Sequence, residues 1–256
     1  MAKTEKQPSR GTLVVTGAGR GIGAAVAKLA GARGFRVAVN YVRNAQAAAD
    51  VVRSVVSSGG RASAIQADIS REQEIVRLFE AAERDLGPVT GLVNNAGVTG
   101  GFARVEALSS ATLHQVFDVN VIGAMLCARE AVRRMSTRSG GSGGAIVNIS
   151  SRGAQIGGAG EWVHYAASKG ALDTFTLGLA REVAADGIRV NAVAPGHVLT
   201  ELHATSGDPE RMTRLAPTIP MGRAGTPEEI AEAVLWLLSP AASYTTGAIL
   251  AVSGGR

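Results

Sequence analysis

Cysteine is almost absent from this chain. Cys127 is the only one in 256 residues, so no disulfide can close within it. That usage suits a reducing compartment, and a cytoplasmic location is expected. Its neighbours in AMLCAREAV read as helix, which makes Cys127 a small buried hydrophobe rather than a nucleophile. Lysine is nearly as scarce: only Lys3, Lys6, Lys28 and Lys169 occur, and the other basic residues are arginine. Long apolar runs are missing too. No window reaches the ~18 uninterrupted apolar residues of a membrane span, so no membrane partner is expected. The opening MAKTEKQPSR carries no apolar segment of the signal-peptide kind. The net charge is +5, but the basic residues are dispersed. Arg133, Arg134 and Arg138 read as solvated surface, and no nucleic-acid partner is expected. His164, His197 and His203 lack metal-ligand spacing, so no metal is expected.

What is present is an ordinary globular balance, 46% hydrophobic and 18% charged, with 33 glycines. Short apolar runs alternate with helical segments. Strands are expected at Thr12–Thr16, Arg36–Asn40, Ala62–Ala67, Gly91–Asn94, Ala145–Ile149, Arg189–Ala194 and Ala248–Val252. Helices are expected at Ile22–Arg33, Gln46–Ser57, Ser70–Glu83, Thr112–Arg134, His164–Ala185 and from Pro227 through Leu238. Ser70 with Gln73, and Thr226 with Glu229, have the form of capping boxes. This alternation predicts an α/β fold: one doubly wound domain, with a seven-stranded parallel sheet and helices on both faces. Residues 1–10 form a tail, 11–256 the domain, and the proline-bearing stretch 197–225 a lid over the site. No internal repeat is visible.

The first chemical motif is Thr16-Gly17-Ala18-Gly19-Arg20-Gly21-Ile22-Gly23, between the first strand and the first helix. Glycines there let the backbone approach a pyrophosphate, and the helix N-terminus supplies free N–H groups and a positive dipole end. At the end of the second strand, Asn40-Tyr41-Val42-Arg43 has no acid to bind an adenosine ribose. Arg20 and Arg43 instead offer cationic partners for a 2′-phosphate, which favours NADP(H) as cofactor. Tyr165 and Lys169, spaced i, i+4, share one helix face. An ammonium beside a phenol favours the phenolate, so the pair can exchange a proton with a substrate oxygen.

The Gly-x-x-x-Gly-x-Gly spacing resembles the short-chain dehydrogenase/reductase family, a Rossmann-type fold, and the likeness runs from about Thr12 to Gly255. The resemblance implies further roles. Asp68 binds the adenine amino group, with Ile69 beside it. Asn94-Asn95-Ala96-Gly97 stabilises the sheet and lines the cofactor. Pro195, Gly196, Val198 and Thr200 flank the nicotinamide. Asn120 binds water in a proton relay through Lys169. A serine after the fifth strand holds the substrate carbonyl. The stretch from Ser151 to Tyr165 is one residue longer than is usual, so Ser150 stays open as the alternative, with Ser151 preferred. The catalytic set is then Asn120, Ser151, Tyr165 and Lys169. Trp162 and His164, with His203, Met212 and Leu215 from the lid, are candidate pocket residues.

The implied activity is hydride transfer between NADP(H) and a small-molecule carbonyl or secondary alcohol, most readily ketone reduction. A sugar or alcohol dehydrogenase, or a catalytically silent NADP-binding regulator, is the alternative. By overall look the chain resembles 3-oxoacyl-carrier-protein reductases and glucose-type dehydrogenases. Arg129, Arg133 and Arg134 would then face an acidic carrier. The family resemblance further implies a homotetramer or homodimer.

Overall fold

The computed structural model describes residues 10–201 and 210–256. Residues 1–9 of the expected tail, and the part of the lid that holds His203, lie outside them. Seven strands form one sheet: β1 (Thr12–Val15), β2 (Arg36–Tyr41), β3 (Arg61–Gln66), β4 (Val89–Asn94), β5 (Gly144–Ile149), β6 (Ile188–Pro195) and β7 (Ile249–Val252). Their order is β3-β2-β1-β4-β5-β6-β7, and every pairing is parallel. The helices are α1 (Gly21–Ala32), α2 (Ala45–Ser57), α3 (Glu72–Leu86), α4 (Ser110–Phe117), α5 (Ala124–Met135), α6 (Gly153–Ile156), α7 (Val163–Val183), α8 (Arg211–Leu215) and α9 (Pro227–Leu238).

β1 explains why the strands read as unbroken apolar runs. All four of its residues are buried. Leu13 and Val15 face a core shared with α1, α2 and α9. Val14 faces the opposite core, filled by Leu78 and Phe79 of α3 and by Cys127 of α5. A strand covered on both faces has no polar side. Strand order reverses between β1 and β4, where an open parallel sheet forms a crevice at the carboxyl ends of its strands. The cleft described below opens there.

Three local expectations need correction. Ser70 does not cap α3. Its hydroxyl and its N–H both donate to Asp68 Oδ1, at 2.7 and 2.9 Å, so it is held in a turn and the helix starts at Glu72. Glu74, rather than Gln73, reaches back and accepts from Asp68 N–H. The expected Thr112–Arg134 helix is broken by a π turn over Asp118–Gly123. There the helix passes so close to the β3–α3 connection that a Cβ on Gly123 would sit 2.3 Å from the Ile69 carbonyl oxygen. Finally, the arginines of α5 are not a free basic surface. Glu130, only 3% exposed, accepts from Arg129, Arg133 and Arg134, and Glu72 and Glu83 take further bonds from that group.

By length and composition alone, the continuous stretch Ser110–Met135 is apolar enough to cross a membrane. It packs on β4 and α3, and its buried positions include Asn120 and Glu130, as befits a core helix. The α9 entry follows expectation: the Thr226 hydroxyl and the Glu229 carboxylate form a reciprocal capping box, with Pro227 in the first turn.

Candidate active site

One cleft of about 1230 Å³ runs over the carboxyl ends of the strands. Its first wall is the glycine loop. Gly17 and Gly21 adopt φ of +61° and +53°, a region that strains residues with a Cβ. Arg20 precedes α1 and makes no side-chain cap, so the first-turn N–H groups of α1 are left for a ligand. Across the gap, a Cβ on Gly21 would meet Thr200 at 3.5 Å. Two residues hold the loop in place. Asn40, 1% exposed, accepts from Gly17 N–H at 3.1 Å and donates to the Ile65 and Ala67 carbonyls. Asn95 donates to the Thr16 and Gly17 carbonyls.

Most of the residues singled out from the sequence line this cleft: Gly17, Gly19, Arg20, Gly21, Ile22, Asn40, Tyr41, Arg43, Asp68, Ile69, Asn95, Ala96, Gly97, Ser151, Tyr165, Lys169, Pro195, Gly196, Val198 and Thr200. Gly23 and Asn120 stand behind the wall. A Cβ on Gly23 would lie 2.4 Å from Asn95 Nδ2 and 2.6 Å from Gly17 O, so this glycine lets α1 press against the loop. Asn120, turned inward by the π turn, accepts from Val98 N–H and donates to the Val98 carbonyl and the Ser168 hydroxyl.

Around Gly97 the reactive end comes together. A Cβ there would lie 3.3 Å from Asn120 Oδ1 and 3.6 Å from Lys169 Nζ. The ammonium donates to the Ile149 carbonyl at 2.7 Å and lies 5.7 Å from the centre of the Tyr165 ring. Of the two candidate serines, Ser151 is the one whose hydroxyl acts on the Tyr165 phenol. A Cβ on Gly153 would be 3.1 Å from Ser151 Oγ and 3.8 Å from Tyr165 Cε1. Ser150, 2% exposed, influences Asp173, two turns beyond Tyr165 on the same helix.

Burial sets the charges. It pushes the Tyr165 phenol up to about 12, with the Ser151 hydroxyl opposing it. It draws Lys169 down to about 8, with Asp173 opposing it. Desolvation disfavours whichever form is charged. In the free protein the tyrosine is therefore a firmly protonated acid, and the phenolate expected from the lysine alone is not what this environment favours.

Beside Tyr165 the structure gathers Trp162, singled out from the sequence, with Phe102, Arg211 and Glu161, which were not. Phe102 and Trp162 stack at 4.8 Å, and Trp162 meets the Tyr165 ring edge-on at 6.0 Å. Arg211 of α8 lies 4.8 and 5.1 Å from the centres of these two rings. It also makes a two-pronged bond to Glu161, at 2.9 and 2.5 Å, which holds that carboxyl below its usual range. His164 is not part of the wall. It is 3% exposed and bonds the Thr99 carbonyl through Nε2. Met212 and Leu215 pack with Ile219 and Ala224 in a small cluster of their own. Among the described residues, no group of three His, Cys, Asp or Glu is placed to hold a metal.

Comparison with known proteins bears on the family and the fold. Residues 17–256 match the family model described as Enoyl-(Acyl carrier protein) reductase. An uncharacterized oxidoreductase of Escherichia coli K12, YgfF, is 50% identical over 243 residues, covering 95% of this chain and 98% of the relative. A double mutant of a Serratia marcescens short-chain dehydrogenase/reductase superposes with a TM-score of 0.88 at 35% identity, covering 96% of this chain and 98% of that one. A blue fluorescent protein from a metagenomic library, solved in complex with NADPH, gives a TM-score of 0.88 at 34% identity with the same coverage. With its parallel sheet, its glycine cradle and its Ser151, Tyr165 and Lys169 at one end of a single cleft, the chain belongs to the short-chain dehydrogenase/reductase family of oxidoreductases.

Proposed function

We propose that the protein reduces the carbonyl of a small ketone to a secondary alcohol with NADPH. The observation that carries this reading is the division of the cleft. One end holds a protonated Tyr165 between Ser151 and Lys169. The other holds Arg20 and Arg43 beside a β2 end that lacks any acid. The cradle fits a dinucleotide: Gly17 and Gly21 take conformations and close approaches that a Cβ would spoil.

Arg20 is paired with Glu201 at 3.2 Å, with both side chains largely exposed. Such a surface pair is weak, worth about 0–1 kcal/mol, and yields readily to a phosphate. Arg43 is exposed and has no acidic partner among the described residues. When bound, the nicotinamide supplies the hydride that the carbonyl carbon receives. Ser151 donates a hydrogen bond to the carbonyl oxygen. Tyr165 transfers its phenolic proton to the same oxygen as negative charge grows there, and Lys169 stabilises the phenolate left behind.

Two results test the reading. In a spectrophotometric screen over ketones, acetoacetyl thioesters and keto sugars, NADPH is consumed in preference to NADH. Arg43→Asp lowers the efficiency with NADPH about 10–100-fold, since a charged hydrogen bond contributes about 1.5–3 kcal/mol. Equal use of both cofactors by the unaltered protein defeats the assignment.

The pH profile follows from the charges. Reduction needs Tyr165 protonated, which holds up to about 12, and Lys169 cationic, which holds only below about 8. For reduction, kcat/KM is therefore level at neutral pH and falls above about 8. The absence of a break between roughly pH 7 and 9 removes Lys169 from the mechanism.

A further inference from the structure

Three ionisable side chains share one face of α7. Tyr165, Lys169 and Asp173 follow at intervals of four residues, the spacing that stacks side chains one helical turn apart. The first two line the cleft. Asp173 lies one turn further from it and is 8% exposed, behind a Lys169 that is 4% exposed. A buried carboxylate is costly unless something compensates it. Its Oδ1 has no hydrogen-bond partner among the described residues. Burial is the strongest influence on it and pushes the carboxyl up, while the Ser150 hydroxyl and the Lys169 ammonium pull against that.

Lys169 has the complementary problem. Among the described residues its hydrogen bond goes to the Ile149 carbonyl, a neutral acceptor, and Asn120 Oδ1 across Gly97 is neutral as well. The only ionised group that acts on Lys169 among the described residues is Asp173. The adjacent serines at the end of β5 thus act on different groups. Ser151 faces the phenol of Tyr165. Ser150, 2% exposed, has no hydrogen-bond partner for its hydroxyl among the described residues and favours the ionised form of Asp173.

We propose that Asp173 is a positioning residue: its carboxylate, supported by Ser150, is the buried counter-charge that keeps Lys169 an ammonium beside Tyr165. Asp173 touches neither substrate nor cofactor and acts through the lysine. The inference rests on the proton-transfer role proposed above for Tyr165 and Lys169, so its test is read on the lysine itself.

The scarcity of lysine makes that test clean. Protein labelled with 13C at lysine Cε has only four lysines to resolve, and Lys169→Met assigns the relevant signal. Without cofactor, the Lys169 signal titrates near about 8. In Asp173→Asn it titrates about 1–3 pH units lower, the range over which one neighbouring opposite charge acts. Asp173→Glu restores most of the shift. The alkaline limb of the ketone-reduction profile moves the same way.

An unmoved Lys169 titration in folded Asp173→Asn overturns the proposal, whatever the turnover. Should that variant fail to fold, the reciprocal measurement decides. In Lys169→Met the 13C-labelled Asp173 carboxyl titrates at higher pH than in the unaltered protein, and an unmoved carboxyl overturns the pairing. Retained turnover in Tyr165→Phe sinks the proton-transfer role and leaves the lysine titration untouched, so the two failures are distinguishable.

Discussion

Tyr165→Phe lowers the rate of ketone reduction about 10²–10⁴-fold, the usual contribution of a positioned proton donor. The substitution removes one oxygen and little volume. Trp162 keeps its edge-on partner, and the Lys169 bond to the Ile149 carbonyl is untouched. NADPH affinity, followed by nucleotide fluorescence, and the thermal midpoint therefore stay near those of the unaltered protein. Turnover retained within a few-fold would mean that water or Ser151 donates the proton, and the mechanism proposed above would fall. Loss of turnover together with loss of folding would point to a packing role instead.

Gly23→Ala is expected to damage stability and cofactor binding together. The added Cβ would sit 2.4 Å from Asn95 Nδ2 and 2.6 Å from Gly17 O. That amide nitrogen makes two bonds to the loop backbone, so relief means moving α1 or displacing Asn95. Overpacking costs about 1–3 kcal/mol, and each lost hydrogen bond about 1 kcal/mol more. A loss of about 2–5 kcal/mol in a urea melt is expected. NADPH affinity should fall about 10–100-fold, because a shift of this size at a loop-to-helix phosphate cradle removes one or two of its hydrogen bonds. Gly170→Ala, in α7, is the control. Nothing lies within 4 Å of its Cβ position, so the change is neutral or stabilises by up to about 1 kcal/mol. Equal effects at the two glycines would show that steric approach at Gly23 is not the cause.

The sheet was legible because its physics is local. A strand buried on both faces must be apolar throughout, so TLVV, RVAVN and AIVNI announced themselves. The glycine loop was legible for a similar reason, since its spacing is set by backbone geometry. What stayed hidden depends on contacts distant in sequence. No helical periodicity reveals the π turn at Asp118–Gly123, which arises where the helix meets Ile69. Ser70 looked like a cap until Asp68 claimed its hydroxyl. The Arg211–Glu161 bond joins residues 50 positions apart and stands on a ring stack contributed by two separate loops. Nothing in the sequence sets Asp173 apart; only the packing of α7 against the sheet reveals its burial. The choice between Ser150 and Ser151 was open in the sequence because a one-residue difference in spacing does not tell which hydroxyl reaches Tyr165.

Asn40 has a consequence for how a ligand is received. Its side chain already satisfies the Gly17 N–H and two carbonyls on the neighbouring strand and its exit. The loop therefore has its shape before any nucleotide arrives, and the entropy of ordering it is spent at folding rather than at binding. A receptor preformed in this way accepts its ligand without rearranging, and its dissociation constant reflects contacts made rather than loop ordering. Asn40→Ala would return that ordering step to the binding event. Weaker affinity with a more unfavourable binding entropy, measured by calorimetry, would be its signature.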